Sequence, residues 1–119
     1  MVETLKSRRD FLRLRGGQRC ATPVCVIEAK PRQPASSVEA SGARFGFTVT
    51  KKLGHAVRRN RIRRRLKAAI AELADDFALP GFDYVVVARN AAFDTPYHQL
   101  LGHIERALRR IRRAASQRQ

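Results

Sequence analysis

Apolar residues recur at helical spacing in two long segments of the second half of the chain. Residues 55–77 predict a helix that buries one stripe of side chains, namely Ile62, Leu66, Ala69, Ile70, Leu73 and Phe77. Residues 94–116 predict a second helix, with Pro96 just inside its start and a stripe of Tyr97, Leu100, Leu101, Ile104, Leu108 and Ile111. Residues 7–17 predict a short third helix that begins at Ser7 and ends at two glycines.

Three shorter segments have the pattern of β-strands. Residues 24–29 are rich in β-branched side chains, residues 44–50 alternate, and residues 82–89 are apolar on both faces, as in a central buried strand. Residues 30–43 predict a flexible hairpin loop, and residues 114–119 a C-terminal tail. The order of elements predicts a single α+β domain over residues 1–119, with a small mixed sheet packed against three helices.

The net charge of the chain predicts a polyanionic partner, which an ordinary small domain would not have. The chain has 25 Lys and Arg against 10 Asp and Glu, a formal charge of +15, which is more than solubility requires. A compositional bias toward arginine is the alternative explanation. No segment approaches the roughly 20 apolar residues of a membrane span, and residues 1–17 do not have the pattern of a signal peptide. Nucleic acid is therefore favoured over membrane, and a cytoplasmic location is predicted.

The positive charge is concentrated on the first long helix and the residues just before it. Residues 51–67 contain nine Lys and Arg and no acid. With Ile62 facing the core, the spacing places Asn60, Arg64 and Lys67 on the opposite face. Like charges on one helix face repel each other, and a polyanion would relieve that repulsion. The amide of Asn60 suits a base edge or a sugar hydroxyl; an ordinary surface or capping role is the alternative.

Other reactive residues give only weak indications of chemistry. Cys20 and Cys25 form a lone C-x4-C pair, a weak zinc signal; on one strand their odd separation would point them to opposite faces, which favours apolar filling over a disulfide. The three histidines are scattered, so no metal site is predicted. No catalytic triad, carboxylate pair or phosphate-binding glycine loop is present. Phe11 is equally compatible with a core position and with a platform for an unpaired base.

The segment FGFTVTKKLGHAVRRNRIRRRLKAAI, residues 45–70, closely resembles the central motif of the bacterial ribonuclease P protein component. The core of that motif is Arg59-Asn60-Arg61 here. The likeness extends to LKSRRDFLRLRGG, to FDYVVVARNAA and to the last helix, and it covers most of residues 5–112. It implies a compact α+β fold with a left-handed βαβ crossover from the strand at Arg44, through the basic helix, to the strand at Phe82.

The resemblance also implies a function. Members of this family bind one large catalytic RNA and the 5′ leader of precursor tRNA, and the holoenzyme removes the leader. The RNA performs the hydrolysis with Mg²⁺. The protein itself is expected to bind no cofactor or metal, to supply no catalytic residue, and to require no protein partner.

Two sets of site residues are carried over from the resemblance. The RNA-binding set comprises Lys51, Lys52, Arg58, Arg59, Asn60, Arg61, Arg64, Arg65 and Lys67. The leader-binding cleft contains Phe11 and Arg15, where many members have a second aromatic residue in place of Arg15. The first predicted strand also lacks the aromatic residue of many members, so charge is expected to contribute more to leader binding here. The rival hypotheses are a structural RNA-binding protein of ribosomal type and a protein nuclease acting alone.

Overall fold

A computed structural model of the chain describes residues 3–4, 18–31 and 42–117, with side chains for residues 18–31 and 42–115. The described elements follow the order β1 (Glu3–Thr4), β2 (Gln18–Ala21), β3 (Cys25–Pro31), β4 (Arg44–Thr48), α1 (Ala56–Phe77), β5 (Phe82–Ala88) and α2 (Tyr97–Gln117). Short 3₁₀ turns, Lys51–Leu53 and Asn90–Phe93, precede α1 and α2. The short helix predicted over residues 7–17 lies outside the described residues.

The strands form one mixed sheet in the order β1-β4-β5-β3-β2. β4 pairs in parallel with β1 and with β5, whereas β3 pairs antiparallel with β5 and β2. The prediction of a small mixed α+β sheet is therefore confirmed. The predicted central strand is β5, which lies between β4 and β3. Its sequence is apolar on both faces because both are buried, with Tyr84 and Val86 on one face and Val85 on the other. Helix α1 forms the connection between the parallel strands β4 and β5.

The core lies between the sheet and the two long helices. The predicted stripe of α1 is buried from Ile62 to Leu73, with Phe77 half-buried at its end, and Leu100, Ile104, Leu108 and Ile111 of α2 are buried beside it. The ring of Phe45 stacks on that of Tyr84, with centroids 4.7 Å apart. Tyr97 was predicted to be buried, and this is wrong. Tyr97 is exposed, and its hydroxyl donates a hydrogen bond to the Glu72 carboxylate. A tyrosine has a polar end, so it can lie at the surface with its hydroxyl bonded there.

The strand boundaries differ from the predicted ones where pairing overrides local pattern. β3 extends to Pro31 because Lys30 and Pro31 lie opposite Asp83 and Phe82 of β5. β2 was not predicted, because its sequence has no apolar alternation. It forms a strand because its backbone pairs with that of β3. Helix α2 continues to Gln117, so most of the predicted tail is helical.

The two cysteines lie on different strands, so the premise that they share one strand is wrong. Cys20 on β2 and Cys25 on β3 are both buried in the core as free thiols. Burial raises the pKa of Cys25 to about 11, against an opposing hydrogen bond from Thr22. A thiol that stays protonated is a poor nucleophile and metal ligand, so apolar filling describes Cys25 well.

Candidate nucleic-acid interface

The start of α1 is fixed by a close approach of Gly54 to Arg58. Gly54 has a φ of 122°, and a Cβ atom there would lie 2.6 Å from Cδ of Arg58. The guanidinium of Arg58 donates hydrogen bonds of 2.9 Å to the Leu53 carbonyl and 2.6 Å to Oδ1 of Asn90. It also lies 3.9 Å from the centroid of the Phe93 ring. Arg58 therefore orients the beginning of α1 through contacts within the protein.

One edge of α1 is attached to the segment that precedes α2. The guanidinium of Arg65 donates hydrogen bonds to the carbonyls of Ala92, at 2.6 Å, and of Thr95. Arg61 lies on the same edge, with its Nε atom 3.5 Å from the Phe93 carbonyl oxygen. Arg65 is half-buried and Arg61 is exposed. The contacts of Arg65 thus hold the helix in place, while Arg61 keeps much of its surface open to a ligand.

The face of α1 opposite the core is exposed, as the helical spacing predicts. Asn60, Arg64 and Lys67 are exposed there and line a shallow groove of about 410 Å³ together with Val57 and Arg63. Arg63 donates a 3.0 Å hydrogen bond to Oδ1 of Asn60. This bond orients the Asn60 amide so that its NH₂ group is the part left to donate to a ligand.

The groove contains two residues that sequence reasoning missed as site residues. Val57 is 83% exposed, although it is apolar, and it lies three residues before Asn60 on the same helix face. The helical spacing already places Val57 on the face of Asn60. A valine carries no charge, however, so its residue type gives no indication of a nucleic-acid site. From the sequence alone, Arg63 counts only as one of the nine cations of residues 51–67. Its bond to Asn60 depends on a side-chain conformation that the sequence does not reveal.

The beginning of α1 concentrates positive charge without a compensating acid. Lys51 and Lys52 are exposed on the 3₁₀ turn, and the first turn of α1 contains no acidic residue. His55 occupies the N-cap position but its side chain makes no capping hydrogen bond. Arg59 is half-buried, and its Nε atom has no hydrogen-bond partner within the part of the chain that the structure describes. The positive end of the helix dipole adds to these charges, so this end of α1 favours an anion.

The predicted leader-binding residues Phe11 and Arg15 lie outside the described residues. The sheet face opposite the helices is described in part. By strand alternation and register, it carries Gly46 beside Val85, and Thr48 beside Val87. Gly46 and Val85 are buried and Thr48 and Val87 are half-buried there. The same face carries Arg19 opposite Glu28, and Lys30 opposite the buried Asp83. The assignment of the cleft stays a prediction.

No protein-borne metal centre or membrane segment emerges from the described residues. Among residues 3–4, 18–31 and 42–117, no three His, Cys, Asp or Glu side chains are grouped so that they could hold a metal ion. Neither of the helices that the structure describes is long and apolar enough to cross a membrane.

Comparison with known proteins identifies the family. The family model for ribonuclease P matches residues 2–112. The ribonuclease P protein component of Paramagnetospirillum magneticum is 40% identical over 111 residues, covering 92% of this chain and 83% of that protein. That of Brucella suis is 43% identical over 107 residues, covering 87% and 76%.

The solved structures that are similar to this chain are also RNase P proteins. The RNase P protein from Staphylococcus aureus superposes with a TM-score of 0.71 at 29% identity, covering 88% of this chain and 91% of that one. The RNase P protein from Thermotoga maritima has the same fold, with a TM-score of 0.74 at 24% identity and coverage of 91% and 96%. The exposed cationic face of α1 contains the Arg59-Asn60-Arg61 motif and lies within the matched residues. The chain belongs to the family of bacterial ribonuclease P protein components.

Proposed function

We propose that this protein binds the catalytic RNA of ribonuclease P through the exposed face of α1 and the 3₁₀ turn before it. The contacting set is Lys51, Lys52, Arg59, Asn60, Arg61, Arg64 and Lys67, with Arg63 and Val57 in the same groove. Arg58 and Arg65 support this surface from behind, because their guanidinium groups are engaged with carbonyl and amide oxygens of the protein.

The observation that carries the proposal is the exposed face of α1 from Val57 to Lys67, a part of the helix that contains no acidic residue. Arg64 and Lys67 are exposed there, and neither makes a hydrogen bond or ion pair to another described residue. Repulsion between such cations is left uncompensated in the free protein. Phosphates would neutralise it and release counterions, which makes binding favourable and dependent on salt. Arginine and asparagine add geometric recognition of phosphate, sugar and base edges.

In the proposed holoenzyme the RNA hydrolyses the phosphodiester bond of precursor tRNA in the cytoplasm. Mg²⁺ ions bound by that RNA would activate the attacking water and stabilise the leaving oxygen. The protein reduces the repulsion between two polyanions by placing cations between them. It thereby raises the affinity for precursor tRNA and lowers the Mg²⁺ concentration required.

The 5′ leader is proposed to lie along the sheet face opposite the helices, beside Phe11 and Arg15. Leaders vary in sequence, so stacking and phosphate contacts suit them better than base-specific hydrogen bonds. Thr48 and Val87 are half-buried on this face and Arg19 is exposed there, which supports this placement, whereas Gly46 and Val85 are buried. In this proposal the β4–α1–β5 crossover is left-handed, as the family resemblance implies.

Reconstitution tests the function. The purified protein, free of RNA, is expected to cleave no precursor tRNA, whereas protein with its cognate catalytic RNA should cleave at the leader junction at low Mg²⁺. Cleavage by nuclease-treated protein alone would favour a protein nuclease. Failure to stimulate the catalytic RNA would favour a structural RNA-binding protein of ribosomal type.

Variants of α1 test the binding face. Arg64→Gln and Lys67→Gln should each weaken binding to the catalytic RNA and reduce the slope of log affinity against log salt by roughly 0.7–0.9 per lost phosphate contact. Arg112→Gln is the matched control. It removes the same charge from α2, where Arg112 donates to the Asp76 carbonyl at 3.0 Å. If all three variants lower the affinity equally, net charge alone explains binding and the α1 face has no special role.

A further inference from the structure

A second basic groove lies between α2 and the turn that connects β2 to β3. It has a volume of about 560 Å³. One wall is the neutral turn from Cys20 to Pro23. The other is the C-terminal half of α2, with cationic or imidazole side chains at His103, Arg106, Arg109, Arg110 and Arg113. The residues that line this groove include no Asp or Glu.

The cations of this groove form a continuous row. Arg106, Arg110 and Arg113 follow each other at helical spacing, so their backbone positions span about 10 Å along the axis, a length that covers several successive phosphates of one strand. All three are exposed. Arg110 and Arg113 make no hydrogen bond or ion pair with any residue that the structure describes, and Arg106 contacts only Nδ1 of His103, at 2.9 Å. Of the arginines in the groove, Arg109 is the one near an acid, 3.7 Å from Glu105.

The turn gives the groove its shape without competing for the ligand. The Thr22 hydroxyl donates to the Cys25 carbonyl and accepts from the amides of Val24 and Cys25. The Thr22 carbonyl accepts a hydrogen bond of 2.9 Å from Arg89. Because these groups are already satisfied, the turn is a fixed neutral wall, and binding specificity in the groove must come from the arginines.

The chemistry of the lining favours a helical RNA backbone over a single strand. Single strands are bound by aromatic side chains on which bases stack, and this groove contains no Phe, Tyr or Trp. One arginine guanidinium can donate two parallel hydrogen bonds to two oxygens of the same phosphate. Double-stranded RNA is recognised mainly through phosphates and sugar hydroxyls, which needs no stacking platform.

The groove is well separated from the exposed face of α1. Lys67 of α1 lies 5.8 Å from the centroid of Phe47 on β4, whereas the groove borders β2 at the opposite end of the sheet. β5 and β3 lie between these strands, so β4 and β2 are three strand spacings apart, or about 14 Å. The groove and the exposed face of α1 therefore lie on different elements, over different strands of the sheet.

We propose that the groove between α2 and the β2–β3 turn is a second RNA site, which binds the phosphate backbone of a helical segment separate from the one at α1. The identity of that segment as part of the catalytic RNA or its substrate rests on the proposed function; the affinity for an RNA helix does not. The protein would thus bridge two RNA segments through opposite ends of one sheet.

Two variants of the full chain with equal net charge test the proposal. The groove variant carries Arg106→Gln, Arg110→Gln and Arg113→Gln; the α1 variant carries Lys52→Gln, Arg64→Gln and Lys67→Gln. Glutamine preserves helix propensity at these exposed positions, and thermal melts verify folding. A labelled short RNA duplex of mixed sequence is titrated at several salt concentrations. Wild-type protein should bind two duplexes at low salt and each variant one. The salt slope of the site that each variant keeps should match the slope of that site in wild-type protein.

A nuclease-protection experiment with the catalytic RNA then distinguishes the two proposals. The groove variant should lose protection at a set of nucleotides that the α1 variant keeps. If the α1 variant binds the catalytic RNA like wild type while the groove variant loses one duplex, the proposed role of α1 fails and the groove stands. If the groove variant still binds two duplexes, or if wild-type protein binds polyglutamate through the groove arginines more tightly than it binds the duplex, the second RNA site is refuted.

Discussion

The guanidinium of Arg44 on β4 holds the carboxylate of Asp83 on β5 through two parallel hydrogen bonds, 2.8 Å from Nε and 2.7 Å from Nη2. The two residues lie opposite each other in the parallel register. The side chain of Asp83 is 0% exposed and that of Arg44 is 26% exposed. A buried carboxylate requires such a partner, because the charged form is costly to remove from water.

We expect Arg44→Met to lower the free energy of unfolding by about 3–5 kcal/mol, since it leaves the Asp83 charge buried without its fork of donors. Urea denaturation measures the change. Glu105→Gln is the control, because its ion pair with Arg109 is 3.7 Å long and both side chains are exposed, so the loss should stay within about 1 kcal/mol. A similar loss for both variants would contradict a special role for the Arg44–Asp83 pair.

Arg65 and Arg64 are neighbours in sequence with different expected roles. Arg65→Gln should lower the free energy of unfolding by about 1–3 kcal/mol, because it removes charged hydrogen bonds to the carbonyls of Ala92 and Thr95. Arg64→Gln should leave stability within about 0.5 kcal/mol and weaken RNA binding instead. Denaturation and RNA titration of the two variants measure both quantities. A stable Arg65→Gln protein with strongly reduced RNA affinity would show that Arg65 acts at the interface.

Tyr84 should make the protein less stable in alkali. Burial raises the pKa of Tyr84 to about 12, although a hydrogen bond from the Leu79 amide and the charge of Arg112 act in the opposite direction. An unfolded tyrosine titrates at pH ~10. Between these pH values the unfolded state loses the proton of the Tyr84 hydroxyl before the folded state does. Ionisation of Tyr84 therefore leaves the free energy of unfolding unchanged below pH ~10 and lowers it by about 2–3 kcal/mol as the pH rises toward ~12.

This effect can be isolated because the chain has two tyrosines. In a Tyr97→Phe background, near-ultraviolet tyrosinate absorbance reports Tyr84 alone, and urea denaturation at each pH gives the stability. The Tyr84→Phe variant should lack this part of the alkaline loss. Equal losses with and without Tyr84 would mean that other groups, such as the lysines, cause it.

Phe11 is expected to stack a base of the leader. Phe11→Ala should then cost roughly 1–3 kcal/mol in binding of precursor tRNA by the holoenzyme, while binding of mature tRNA, which lacks a leader, barely changes. Phe11→Leu should keep the melting temperature and lose part of the leader-dependent affinity. If Phe11 is instead a core residue, Phe11→Ala should cost roughly 3–5 kcal/mol in stability, and both tRNAs would lose affinity together.

The sequence by itself determined the two long helices and the exposed face of α1. Helical periodicity fixes which residues share a face, so burying Ile62 and Leu66 forces Arg64 and Lys67 to the outside. The central strand was also predictable, because β5 is apolar on both faces. The motif around Asn60 indicated the family, since its length and spacing exceed those of a generic basic helix.

The tertiary structure decided which cations serve the fold and which remain for a ligand. Arg58 and Arg65 look like Arg64 in the sequence, but their partners at Asn90, Ala92 and Thr95 lie about thirty residues away and meet them only in the folded chain. The groove between α2 and the β2–β3 turn is likewise invisible in sequence, because its two walls are separated by most of the chain. Local periodicity determines orientation about one element's axis, whereas a site shared by two elements depends on packing between residues distant in sequence.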